Sequence, residues 1–289
     1  MNSVVVSSLR CPICSGGLSE VVAGSGHALR CPRGHSFDIS RQGYVNLQTG
    51  RAMHSGDTAA MVAARANFLA AGHYHFMAAG IRDAARASSA ERAADHGPRL
   101  IADAGAGTGY YLGVVLDSFP DFQGLALDVS KPALRRAARS HPRAAAVLCD
   151  TWRQLPLVDH AVKLLLNVFA PRNAAEFARV LAPDGALIVV TPGAGHLAEL
   201  VGALKLLTVP PEKEHAVARV LDSRFEQIAS QALEQALHLT RDEIATVVAM
   251  GPSAWHVDSA ELTQRIAVLP DAVTVTASVR IASYRPRAA

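Results

Sequence analysis

The spacing of apolar positions changes character along the chain. Up to about residue 48, short alternating segments such as Ala28 to Arg30 and Ser36 to Ile39 lie among Cys, Gly, Ser and Arg, with no helical periodicity, which predicts small strands. From Thr58 to Ala87 the chain is alanine-rich, and Met61, Ala64, Phe68 and Leu69 share one helical face, with Gly72 separating two helices. Apolar runs then recur at Arg99 to Ala104, Leu125 to Asp128, Ala145 to Leu148, Ala161 to Phe169 and Ala186 to Thr191, with helical stretches between them. Strands alternating with helices predict a doubly wound parallel sheet of the α/β class. Ala272 to Tyr284 alternates Val, Thr and Ile in the manner of a final strand, expected to be antiparallel and at an edge. The predicted organisation is a small unit over 1–48, a helical linker over 49–97 and an α/β domain over 98–289.

Composition narrows the class. Of 289 residues, 50% are hydrophobic and 18% charged, which fits a folded chain and excludes a largely disordered one. No apolar stretch approaches a membrane span and no basic segment precedes an apolar run at the start, so a cytoplasmic location without a membrane partner is expected. The formal charge of +3 is small, but residues 1–55 hold Arg10, Arg30, Arg33, Arg41 and Arg51 against Glu20 and Asp38, an excess equal to that of the whole chain. That concentration makes the N-terminal unit the expected contact for a polyanion.

Three of the four cysteines crowd into the first 31 residues, whereas Cys149 ends the apolar run Ala144 to Leu148 and reads as a buried strand residue. Cys11-Pro-Ile-Cys14 and Cys31-Pro-Arg-Gly-His35 form two pairs, each able to make a tight knuckle around one ion. Zinc takes four thiolate or imidazole ligands in a tetrahedron, and Cys11, Cys14, Cys31 and His35 complete that set with no position open for chemistry. The site is expected to be structural, with Gly34, Gly16 and Gly17 supplying backbone freedom at the knuckles. His27 competes with His35 as fourth ligand. Loss of zinc is expected to disorder about the first 45 residues and leave the remainder folded.

Ile101-Ala-Asp103-Ala-Gly105-Ala-Gly107-Thr-Gly109 closes a strand with an acid and then places glycine at every second position. This D-x-G-x-G-x-G differs from the G-x-G-x-x-G fingerprint that aims a helix N-terminus at a pyrophosphate. S-adenosylmethionine (SAM) has no pyrophosphate, and its amino-acid portion and ribose lie across such a turn. Asp128 ends the next strand, where a carboxylate can accept both ribose hydroxyls. Asp150, in Leu148-Cys-Asp150-Thr-Trp152, ends the third strand and suits the adenine amino group, with Trp152 either flanking the ring or packing. Asn167-Val-Phe-Ala-Pro171-Arg172 ends the fourth strand and is expected to face the methyl group. It is similar to the Asn-Pro-Pro-aromatic motif of amino-group methyltransferases, without the first proline. Phe169 is placed either to stack on a target base or to pack. Lys131, Arg135 and Arg139, joined by Arg136 and Arg143, form a basic helix face that is either solvated or in contact with RNA.

The Cys-x2-Cys and Cys-x3-His pairs, Phe37-Asp-Ile-Ser-Arg-Gln-Gly43-Tyr-Val-Asn-Leu47, Ala71-Gly-His-Tyr74 and Asp128-Val-Ser-Lys-Pro132 together resemble the bacterial 23S rRNA guanine-N1 methyltransferases. Asn167 to Asn173 and Val248-Ala-Met-Gly-Pro-Ser-Ala-Trp-His256 resemble the tylosin-resistance branch, which methylates a guanine in a hairpin lining the peptide exit tunnel. The resemblance covers nearly the whole chain. It implies a zinc ribbon that grips 23S rRNA, a Rossmann-like class I methyltransferase domain, a homodimer with an RNA-binding cleft, and macrolide resistance. It also implies that Tyr74, Gly107, Thr108 and His196 contact the cofactor. Guanine N1 carries a proton that must be lost during transfer, so a base or stabilisation of the O6 enolate is expected, and no carboxylate in the sequence declares itself as that base. The competing readings are a methyltransferase for a small secondary metabolite, which has no evident need of a basic ribbon, and a non-catalytic RNA-binding protein, which has no need of an intact glycine turn.

Overall fold

A computed structural model describes residues 1–50, 55–90, 99–206, 220–251 and 259–287. The chain opens with helix α1 (Ser3–Ser8), whose first turn is capped by the Asn2 side chain. Strands β1 (Ser19–Ala23), β2 (Gly26–Arg30) and β3 (Ser36–Asp38) pair antiparallel in that order as a three-stranded sheet. Strand β4 (Tyr44–Asn46) leaves that sheet and runs parallel beside β7 (Ala144–Leu148), with Val45 opposite Val147.

Helices α2 (Ala59–Ala70) and α3 (His75–Ala90) follow, separated at Gly72 as its spacing predicts. Thr58 caps α2 by accepting the Met61 amide, and Met61, Phe68 and Leu69 are buried on the predicted face. The remainder alternates as β5 (Leu100–Ala104), α4 (Tyr110–Leu116), β6 (Gln123–Asp128), α5 (Lys131–Ala137), β7, β8 (Val162–Val168), α6 (Ala174–Val180), β9 (Leu181–Pro192) and α7 (Ala198–Leu204). It ends with β10 (Phe225–Thr240), α8 (Arg241–Ala249), α9 (Ser259–Ala267) and β11 (Ala272–Pro286).

The large sheet has eight strands in the order β10-β11-β9-β8-β5-β6-β7-β4. Strands β5 and β8 are buried at every position, as central parallel strands covered on both faces must be. One core lies on the face covered by α2 to α5, with Phe68, Met77, Ile81, Leu112 and Leu134 against Ala126, Ile188 and Val190. The other lies on the opposite face, where Val5, Leu9, Cys11, Leu29 and Cys31 share a cluster with Leu125, Val147 and Phe177. Neighbouring residues of β6 thus point to different cores, the period-two signature of a strand. The N-terminal unit is fused to the sheet rather than tethered to it: Leu9 bridges Leu157, and the Val158 amide donates to the Ser8 carbonyl at 2.9 Å.

One sequence expectation is corrected. The final strand is antiparallel, but it lies between β9 and β10 instead of at the edge. The edge is β10, which the sequence pattern did not announce, because its Phe-Glu-Gln-Ile-Ala-Ser-Gln-Ala-Leu-Glu-Gln run is rich in helix-forming residues and mostly exposed, so no period-two apolar face marks it. Pairing with β11 from Phe225 to Thr240 overrides that local preference. The linker residues 91–97, Arg51 and the segment Pro252 to His256 lie outside the described residues.

Candidate functional site

The first cluster is built by two turns of the N-terminal unit. The Sγ atoms of Cys11, Cys14 and Cys31 and a ring nitrogen of His35 all lie within 4.8 Å of one another. Cys14 and Cys31 are 3.6 Å apart at sulfur, and His35 Nδ1 is 3.5 Å from Cys11 Sγ and 3.4 Å from Cys31 Sγ. A tetrahedral zinc ion separates its thiolates by about 3.8 Å and a thiolate from an imidazole nitrogen by about 3.5 Å. The donor set and its edges therefore fit zinc, and the closed four-ligand set suits a structural ion. His27 is not part of the cluster; it is exposed and its Nδ1 lies 2.9 Å from Glu20 Oε1. Gly34 has the expected positive φ of 85°, but in the first knuckle that conformation falls on Ser15 at 57° and on neither Gly16 nor Gly17.

The second cluster gathers at the C-terminal edges of the parallel strands, where an open α/β sheet binds its ligands. After β5 the chain turns through Gly105, Gly107 and Gly109, all with positive φ, and Thr108 is buried within the turn. Gly107 faces open space apart from Arg65, whose Nη1 lies 3.3 Å from where a Cβ would stand, whereas a Cβ on Gly109 would strike the backbone of Ala137 at 2.9 Å. Glycine at 109 thus serves the packing of α4 against α5, and at 107 it leaves the approach to the turn free.

Asp128, at the end of β6, accepts the Gly107 amide on Oδ2 and the Ser130 amide on Oδ1, each at 2.8 Å, which aims the carboxylate across the turn. Asp103 is wholly buried, neither of its oxygens has a hydrogen-bond partner, and burial, with the Asp128 charge adding, pushes its carboxyl up to about 8. An acid so buried and so unpartnered suits a cationic or hydrogen-bonding ligand. Asp150 is also buried; its Oδ1 accepts the Trp152 amide at 3.0 Å, and its Oδ2 has no hydrogen bond. Asn167 ties two strand ends together by donating to Ala104 and Pro171 carbonyls at 3.0 and 2.9 Å, leaving its Oδ1 buried without a donor.

Beyond β9, His196 meets Tyr74 of the segment before α3, phenol oxygen to Nε2, at 3.2 Å. Burial holds His196 below its ordinary value and pushes the Tyr74 phenol up, so both are neutral near pH 7. Phe169 adopts φ 51° and remains 42% exposed, its ring 5.8 Å from that of His196. Trp152 is half exposed beside Asp150. Asp103, Asn167 and His196 keep buried polar atoms without hydrogen-bond partners, and Asp150 Oδ2 meets only the Arg153 guanidinium at 3.8 Å; such groups at the strand ends fit SAM, whose ammonium, ribose and adenine offer them partners.

The sequence reading missed Arg65, Asp57 and Ser130. Arg65 pairs with Asp57 and donates to the Met250 carbonyl at 2.8 Å, while Ser130 Oγ donates to the Asp57 carbonyl at 2.7 Å. The signal was available: Arg65 is the single charge in the α2 sequence Ala-Ala-Met-Val-Ala-Ala-Arg-Ala-Asn-Phe-Leu-Ala. Conversely, Arg143 does not belong to a basic surface, because its guanidinium donates to the carbonyls of Leu116, Phe119 and Phe122 beyond α4. Lys131, Arg135, Arg136 and Arg139 are exposed. Of the N-terminal arginines, Arg30, Arg33 and Arg41 are exposed, and Arg10 is largely buried near Asp159.

Residues 9–52 match the family described as RlmA, N-terminal, and residues 102–189 match the methyltransferase domain family. The chain is 48% identical to the 23S rRNA (guanine(748)-N(1))-methyltransferase of Streptomyces fradiae, over 99% of each length. The chain belongs to the 23S rRNA (guanine-N1)-methyltransferase family. A Micromonospora griseorubida relative provisionally named a 23S rRNA (guanine-N(1)-)-methyltransferase is 58% identical over 99% of this chain and 100% of its own length. A Bacillus subtilis member, YxjB, provisionally given the same activity, is 30% identical over 88% of this chain and 89% of its own. The α/β sheet is accordingly a class I methyltransferase fold carrying a zinc ribbon, and the enzyme's cofactors are SAM and zinc. No described helix is long and apolar enough to cross a membrane.

Proposed function

We propose that this chain transfers the methyl group of SAM to N1 of a guanine in a 23S rRNA hairpin lining the peptide exit tunnel, and that the modification confers macrolide resistance. The observation that carries the reading is the near-complete coverage, at 48% identity, of a relative whose name specifies guanine 748 and its N1. In this reading Cys11, Cys14, Cys31 and His35 hold the zinc. Asp103, Gly105, Gly107, Thr108 and Gly109 cradle the methionyl portion of SAM, Asp128 binds the ribose and Asp150 the adenine amino group. Asn167 faces the methyl group, and Tyr74 and His196 close over the cofactor.

SAM supplies a methyl group on a sulfonium, ready for in-line displacement, so the chain's chief task is to hold guanine N1 close and aligned. The target base leaves its stack to reach that position. Phe169, exposed at the end of β8 beside His196, supplies an aromatic face for it. The ribbon over 1–48 grips RNA through Arg30, Arg33 and Arg41, the segment 49–97 links, and 98–289 carries the chemistry, in a cytoplasmic homodimer.

Primer extension on 23S rRNA from a host lacking the activity, with and without the gene, tests the reading, because N1 methylation blocks pairing and stops reverse transcriptase one nucleotide before the site. The expected result is one new stop at a hairpin guanine, with 1-methylguanosine found by nucleoside mass spectrometry. A methylated ribose, a different base, or transfer only to a small metabolite overturns it.

A further inference from the structure

Arg65 projects from α2 onto the middle of the glycine turn, close enough that any side chain at 107 would meet its guanidinium. Its charge acts on both Asp128 and Tyr111. Three acids surround this space: Asp103, whose buried carboxyl has two unpartnered oxygens, Asp128 across the turn, and Asp57 paired to Arg65 itself. A ligand that carries both positive charge and a carboxylate finds a partner for the first in Asp128 and for the second in Arg65. SAM carries both, since its sulfonium and α-ammonium are cationic and its α-carboxylate is its one anionic group.

We propose that Arg65 binds the α-carboxylate of the cofactor's methionyl group. The inference rests on the glycine turn being the SAM site and adds a residue from outside the parallel strands. A guanidinium carries five N–H donors, enough to keep the Asp57 and Met250 bonds and still engage a carboxylate. Its side chain is 30% exposed, so a ligand in the turn can reach it. Because Asp57 is also held through Ser130, and a Cβ on Gly56 would stand 2.8 Å from the Ser130 backbone, the segment around Gly56 and Asp57 packs directly on the turn that follows Asp128. Arg65 thereby joins that segment, the loop after α8 and the cofactor's tail.

The competing role is that of a strut which holds Asp57 and Met250 and never touches the cofactor. Calorimetry on the full chain separates the two with a pair of ligands: S-adenosylhomocysteine, which has the carboxylate, and 5′-deoxy-5′-methylthioadenosine, which lacks the amino-acid tail. Arg65→Met is expected to weaken the first by about ten- to a hundred-fold and the second by less than about two-fold, with Arg65→Lys recovering part of the loss. Should the Met variant fail to fold, as judged by its melting curve, Arg65→Lys carries the same comparison with a smaller expected ratio. Equal weakening of both ligands, or no change for S-adenosylhomocysteine, overturns the proposal. A wild-type chain that binds neither ligand overturns the cofactor reading itself and the proposal with it.

Discussion

Tyr74 and His196 meet at 3.2 Å across 122 positions of sequence, one entering from the turn between α2 and α3, the other from the loop after β9. Both are neutral near pH 7, so the contact is a hydrogen bond between an uncharged phenol and an uncharged imidazole. This single bond fastens the helical segment over the C-terminal edge of the sheet, with Phe68 and Phe76 packed edge-on around the phenol.

Removing the hydroxyl leaves the buried His196 Nε2 without its partner, which costs about 1–3 kcal/mol. Tyr74→Phe should therefore lower the melting temperature by a few degrees and weaken SAM binding several-fold. The burial of His196 adds a pH signature. Its folded value lies below its unfolded one, so the unfolded chain takes up the proton first, and the stability this residue contributes is complete above about pH 6.5 and lost as pH falls below it. Denaturant titrations of wild type and His196→Gln should differ in slope only on that acidic side; parallel curves would show that His196 protonates freely in the fold.

Asp103 works in the opposite direction. Its folded value near 8 stands above the ordinary 3.8, so the native chain holds a proton that the unfolded chain releases. Without cofactor, stability should fall as pH rises through that window, by up to about 1.4 kcal/mol per unit. Asp103→Asn keeps the shape without the charge, so it should flatten the profile and melt higher than wild type at pH 8 to 9, while binding SAM more weakly. Identical profiles for the two proteins would mean that Asp103 is ionised throughout.

Asp128→Ala should weaken SAM by about ten- to a hundred-fold, since it removes charge-assisted bonds to the ribose. It also releases the Gly107 amide, so calorimetry should show a loss for 5′-deoxy-5′-methylthioadenosine as well. That outcome distinguishes the ribose acid from a residue that reads only the amino-acid tail.

The metal ligands were legible in the sequence because a knuckle needs only local spacing, and the parallel strands β5 to β9 were legible because each is a buried apolar run. Asp103, Gly107 and Asp128 could be read from their places at strand ends. Arg65 could not be assigned in that way, because it comes from a helix outside the alternating pattern and reaches the turn only through packing. Strand β10 was hidden by the opposite cause, a helix-like composition overridden by fifteen residues of pairing with a partner (Thr240 opposite Ala272 at one end, Phe225 opposite Pro286 at the other). The fusion of the ribbon to the sheet was hidden too, since three residues of β4 carry no signal for which sheet they join.

That fusion changes what loss of zinc should do. Cys11 and Cys31 lie in one cluster with Leu125, Val147 and Phe177, and β4 forms the edge of the large sheet. Zinc binding energy in such sites is also folding energy, so Cys31→Ser should lower the melting temperature of the whole chain by about 10 °C or more in a single transition, rather than unravel the first 45 or so residues alone. Elemental analysis should find one zinc per wild-type chain. Two separate transitions, with the later one unchanged, would restore the picture of an independent ribbon.

The last prediction concerns how the ribbon meets its polyanion. Arg30, Arg33 and Arg41 are exposed, whereas Arg10 is engaged with the body of the protein near Asp159, so among the described N-terminal arginines the first three carry positive charge at the surface. Contacts from such side chains to phosphates release counterions, and each one removed reduces the slope of log affinity against log salt by about 0.7 to 0.9. Arg33→Ala with Arg41→Ala should therefore weaken binding of a 23S rRNA hairpin fragment and flatten its salt dependence by up to about two such steps. SAM affinity should stay unchanged, because neither residue lies at the glycine turn. Arg143 provides the internal contrast, since its guanidinium is spent on the carbonyls of Leu116, Phe119 and Phe122; Arg143→Ala should lower stability and leave the salt slope intact. Filter binding across a salt series reads both effects at once. A slope that stays the same in the Arg33 and Arg41 double variant would move the RNA contact to the exposed basic face of Lys131, Arg135 and Arg139, and substitution there would then have to flatten it.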